Sequence, residues 1–130
     1  MSSQKSLFVV TTIVEAITGL ALAFRPATTL WLFFGADTVS FESLAICRLC
    51  GAALVAIALS CWCARSGSLD RASCGGLWGM LVYNLGAVAV LGLVGIGGQS
   101  VGLALWPGVV AHLALTAWSV NYLFNKQLST

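Results

Sequence analysis

Four apolar stretches, each about as long as the ~20 residues that cross a ~30 Å hydrocarbon core, dominate this chain and restrict what it can fold into. They run from about Leu7 to Phe24, Leu44 to Ala64, Gly76 to Ile96 and Leu103 to Phe124. Backbone polar groups cannot be left bare in lipid, so segments this long and apolar are expected to be helices. Barrel strands would alternate in polarity over ~10 residues, and these stretches do not. The sequence therefore predicts an all-α membrane protein, a single four-transmembrane-helix bundle over residues 1–130.

Composition agrees. Hydrophobic residues make up 59% of the 130 positions and charged residues 8%, against roughly 25% charged in a typical soluble domain. Six Lys/Arg and four Asp/Glu cannot provide the polar surface that a small soluble protein needs. The expected partner of most of the surface is the lipid bilayer. A net charge of +2 without a basic cluster gives no reason to expect nucleic-acid binding.

Positive charge sets the expected orientation. Lys5, then Arg65 and Arg71, then Lys126 fall at the N-terminus, the second connection and the C-terminus, which four passes put on one side. The other side holds Arg25, offset by Asp37 and Glu42, and the uncharged connection from Gly97 to Gly102. Both termini are thus expected in the cytoplasm. Trp31 and Trp106 would mark the outer interface, and Trp62, Trp78 and Tyr122 the inner one. The first connection opens on Pro26 and closes on Gly35, which suits a short helix lying in the outer interface, with a partly buried loop as the alternative.

The first span has features of a secretory signal, namely Lys5 ahead of it and Ala21-Leu22-Ala23 near its end. Glu15 in the middle of the apolar run argues against that, and the segment is read as a membrane span. Gly19 with Ala23, Ala52 with Ala56, and Gly75 with Gly79 are small-xxx-small pairs that favour close helix packing.

Charged groups at the bilayer centre cost roughly 2.5–3.5 kcal/mol on insertion scales, so the polar residues within the spans need a reason. Glu15 lies mid-way along the first span and Arg48 in the second, at depths about 7 Å apart, which predicts an ion pair facing the interior. Asn84 in the third span and His112 in the fourth lie at similar depth, with Tyr83, Thr116 and Ser119 close by in sequence. Two readings of Glu15, Arg48, Asn84 and His112 stand side by side. They are structural glue that fixes helix register, or they line a cavity for a small ligand or a proton. Cys47 and Cys50, with His112, raise the option of a soft metal site, although the second CxxC of a four-thiolate site is missing. Neutral thiols are the plainer reading, and no metal ligand is assigned. Cys61, Cys63 and Cys74 fall on the expected cytoplasmic side, where thiols stay reduced.

A midspan acid (Glu15), a first helix ending at Arg25-Pro26, an aromatic connection closing on Gly35, and a second helix carrying Arg48-Leu49-Cys50-Gly51-Ala52-Ala53-Leu54 and ending at Cys63-Ala64-Arg65 form a pattern. It resembles the small four-helix bacterial membrane proteins related to the DoxX-like families. That resemblance implies an inner-membrane accessory subunit or small-ligand binding module, working with a larger membrane complex or as a homo-oligomer. It supplies no catalytic residues and no defined cofactor. The alternatives are a proton-coupled small-molecule transporter using Glu15 and a redox-associated subunit binding quinone or metal. Small multidrug transporters also have four helices and one acid in the first. The charge bias here, Arg48 beside Glu15, and the third-helix pattern set this chain apart from them. No motif of hydrolytic or nucleotide chemistry is present, which leans against an enzyme.

Overall fold

The computed structural model describes residues 3–65, 71–97 and 101–127, and they are overwhelmingly helical. Five helices follow in order: α1 (Ser3–Phe24), α2 (Pro26–Phe34), α3 (Phe41–Ala64), α4 (Arg71–Ile96) and α5 (Leu105–Gln127). Segments Gln4–Phe24, Phe41–Ala64 and Ser73–Ile96 are long and apolar enough to cross a membrane. Helix α5 is of similar length, but His112, Thr116, Ser119 and Asn121 interrupt its apolar run.

Local signals explain where the helices begin and end. Pro26 occupies the first turn of α2, where its missing N–H costs nothing. Gly35 ends that helix in the left-handed region, at φ 63°, and its N–H bonds the Trp31 carbonyl at 2.8 Å. The short helix expected from Pro26 and Gly35 is therefore present. Ser40 caps α3, its hydroxyl accepting from the Ser43 N–H at 3.2 Å, with Glu42 in the first turn where the helix dipole favours an acid. At the other end of α3 the Arg65 guanidinium donates to the Trp62 carbonyl and stacks 3.4 Å from the centre of the Trp62 ring.

The long helices pack as two pairs. α1 lies along α3 and α4 lies along α5, whereas α3 and α4 touch only sparingly. The α1–α3 crossing depends on two glycines: a Cβ at Gly51 would fall 2.6 Å from both the Ala23 nitrogen and the Gly19 carbonyl oxygen. Of the small-residue pairs, Gly19 with Ala23 is thus used inside the molecule. Ala52, Ala56, Gly75 and Gly79 are exposed.

One half of the bundle is solid and the other is hollow. Leu7, Phe8, Cys61, Leu77, Met80 and Leu115 form the packed core, flanked by Ile57, Trp118 and Tyr122. Apolar residues elsewhere point outward, among them Ile17 at 65% exposure, Leu93 at 72% and Leu103 at 88%, an arrangement suited to lipid. Over the hollow half, the 101–104 segment bonds to the C-terminal carbonyls of α2: Gly102 N–H to Phe33 at 3.0 Å and Ala104 N–H to Leu32 at 2.8 Å. Those carbonyls would otherwise be unpaired, so the contact both caps α2 and fastens it over the start of α5.

Candidate functional site: an apolar cavity with a polar floor

A cavity of about 560 Å³ occupies the hollow half, between the two helix pairs and beneath α2. α1 contributes Val14, Thr18 and Leu22, and α2 contributes Thr29, Leu30, Phe33 and Phe34. Cys50 and Leu54 come from α3, Gly86, Ala87 and Val90 from α4, and Gly108 and Ala111 from α5. Tyr83 and His112 supply its strongly polar lining. The volume and the largely apolar wall are those of a small-molecule site. Cys50, Gly86 and Val90 line it and are also exposed, so the cavity opens sideways where α3 and α4 stand apart.

The polar floor is ordered by a short relay of hydrogen bonds. Asn84 donates its amide to the Met80 carbonyl at 2.8 Å, which leaves its Oδ1 as acceptor. His112 Nδ1 lies 2.7 Å from that Oδ1. An acceptor there requires the proton on Nδ1, and in the neutral ring Nε2 is then an acceptor. Tyr83 packs its ring edge-on against His112, with centroids 5.6 Å apart and planes at 80°. This hydrogen bond agrees with the reading of Asn84 and His112 as structural glue, and the place of His112 in the cavity lining leaves the ligand reading open beside it.

Glu15 is fully buried and its two carboxyl oxygens have no hydrogen-bond partner. The Tyr83 hydroxyl and the Cys61 thiol lie within interaction range of it. Thr11, one turn earlier on the same face, is also fully buried with an unpartnered hydroxyl.

The expected Glu15–Arg48 ion pair does not form. Arg48 is exposed, while the buried stripe of α3 is Gly51, Leu54, Ala58 and Cys61. At 3.6 residues per turn Arg48 sits roughly 100° around the helix from the middle of that stripe. Depth alone had suggested the pair, and rotation about the helix axis separates it. The structure thus joins Asn84 to His112, buries Glu15 near Tyr83 but not in the cavity lining, and leaves Arg48 outside. Thr116 and Ser119 bond the carbonyls of His112 and Leu115 one turn back, so both are satisfied within their own helix.

Tyr83, noted only as a neighbour of Asn84, is the residue that connects Glu15, His112 and the cavity. One participant was not singled out from the sequence. Gln4, placed before the first span, lies inside α1 and accepts from the Tyr122 hydroxyl at 2.8 Å. A helix beginning at Ser3 carries Gln4, Thr11 and Glu15 on one face, a spacing readable in the sequence once the helix start is known. Cys50 shares the cavity with His112 but Cys47 does not line it, and no cluster of three or more His, Cys, Asp or Glu suited to a metal occurs among the described residues.

Fold and site together define a helical protein with three helices long and apolar enough to cross a membrane and an internal, laterally open cavity. Compared with protein-family models, characterised proteins and solved structures, the chain matches none.

Proposed function

We propose that this chain is a four-pass protein of a bacterial inner membrane, with both termini cytoplasmic, that binds a lipid-soluble small molecule between its two helix pairs. The observation that carries the reading is the cavity of about 560 Å³, apolar along its walls and polar at its floor. Its side opening between α3 and α4 suits a ligand arriving from the bilayer. A neutral His112 with Nδ1 bound to Asn84 offers Nε2 as an acceptor, which favours an apolar molecule carrying a hydroxyl or amine donor. The length of α5, 23 residues or about 34 Å of helix, supports a fourth crossing. The orientation follows from the Lys/Arg bias of the connections, and the bacterial setting from the DoxX-like resemblance.

A role as subunit of a larger complex is supported by a second observation. Ala52 and Ala56 on α3 and Gly75 and Gly79 on α4 are exposed, which leaves two small-residue surfaces available to another membrane helix.

Native mass spectrometry of the protein taken gently from its own membrane tests both. A stoichiometric small-molecule adduct is expected on the wild type, lost in Ala111→Trp and in Ala87→Phe, and retained in the outward-facing control Leu103→Trp. An adduct indifferent to both cavity-filling changes would disprove the binding reading. A co-purifying larger protein, released by Gly79→Leu, would identify the complex.

A further inference from the structure

Glu15 is a fully buried carboxyl whose oxygens lack a hydrogen-bond partner. Taking a carboxyl out of water without a partner is expensive, and each such group in a folded protein calls for an explanation. The groups arranged around it provide one. Thr11 lies one turn away on α1 with its hydroxyl also unpartnered, and Cys61 on α3 and Tyr83 on α4 lie within interaction range. From α5, His112 touches the ring of Tyr83 and is held by Asn84. Arg48 is exposed, and the buried polar atoms of Glu15 make no hydrogen bond within the described structure.

Access to this group is one-sided. Tyr83 lines the cavity and also faces Glu15. In the other direction stand Leu7, Phe8, Leu77 and Met80, all buried and apolar, which separate Glu15 and Thr11 from the Gln4–Tyr122 pair.

We propose that Glu15 is a proton-exchange site reached from the cavity past the Tyr83 hydroxyl and closed toward the Gln4 end by the Leu7–Phe8 core. Ionisable groups held inside membrane bundles commonly serve as proton relays. In the transfer, a hydronium in the cavity gives a proton to the Tyr83 oxygen and becomes water, as the Tyr83 O–H proton passes to a carboxylate oxygen of Glu15. The reverse sequence returns it. Each transfer breaks one O–H bond and forms another, and nothing is oxidised or reduced. The inference depends on the cavity being wetted, and it holds whether or not a small molecule also binds there.

The test is infrared difference spectroscopy of the full chain in phosphatidylcholine vesicles, moved between H2O and D2O. A carbonyl band of a protonated carboxyl is expected, absent in Glu15→Gln and shifting as deuterium replaces hydrogen. In Tyr83→Phe the exchange should slow by about a hundredfold, the lower end of what a positioned proton-transfer group contributes. Ala87→Phe, which fills the cavity and leaves Tyr83 in place, should slow it as well. Tyr122→Phe, on the far side of the core, should leave it unchanged. Exchange at the wild-type rate in both Tyr83→Phe and Ala87→Phe would overturn the proposal, as would the absence of any Glu15 band that responds to D2O. The measurement needs no ligand, so a missing adduct in mass spectrometry would defeat the binding reading and leave this one standing.

Discussion

At the scale of single residues, Asn84 carries the most structural consequence. Its amide fixes the acceptor that His112 Nδ1 requires, and both side chains are buried. Asn84→Leu should destabilise the protein by about 1–3 kcal/mol, the cost of a buried polar group left unpaired, in equilibrium unfolding with mixed micelles of mild detergent and dodecyl sulfate. Nitrogen NMR of the wild type should show His112 protonated on Nδ1, and the variant should lose that preference. The pairing was legible in the sequence because two strongly polar residues at equal depth in lipid have few other partners. The Glu15–Arg48 pair was wrongly read from the same reasoning. α3 is apolar all round, so nothing in its sequence marks which face is buried, and depth without rotation leaves a partner undetermined.

At the scale of elements, the α1–α3 contact is set by backbone proximity at Gly19, Ala23 and Gly51. Gly51→Leu should cost at least about 1–3 kcal/mol, as overpacking does where the neighbours are main-chain atoms that cannot give way. Ala52→Leu, one position on and exposed, should stay within about 0.5 kcal/mol. Comparing the two by the same unfolding assay separates a packing position from an exposed one. The helices themselves were readable from hydropathy, and α2 from Pro26 and Gly35. Their starts were not: Ser40 brings α3 forward to Phe41 and α1 already includes Gln4, because polar residues in a first turn look like connection. The small-xxx-small pattern named Gly19 and Ala23 but missed Gly51, whose partner lies on another helix.

At the scale of the whole molecule, the lateral opening should be visible in thiol chemistry. Cys50 lies at the cavity and is exposed, whereas Cys61 is buried in the core. A membrane-permeant maleimide applied to single-cysteine variants should label Cys50 readily and Cys61 only after unfolding. Occupation of the cavity by the label should also abolish any small-molecule adduct. Equal labelling of the two thiols would mean that the opening between α3 and α4 is not as described. The cavity itself had no signature in the sequence, since it arises from how two pairs of apolar helices lean together and not from any residue pattern along one of them.

The pairing of α1 with α3 and of α4 with α5 also bears on how the protein is made. Each pair is close in the chain, so α1, α2 and α3 can complete their mutual contacts before α4 has left the ribosome. The second pair then docks as a unit along a sparse seam. A chain severed between Arg65 and Arg71 should for that reason still assemble when its two fragments are produced together, whereas one severed between Phe34 and Phe41 would divide the closest contact in the molecule.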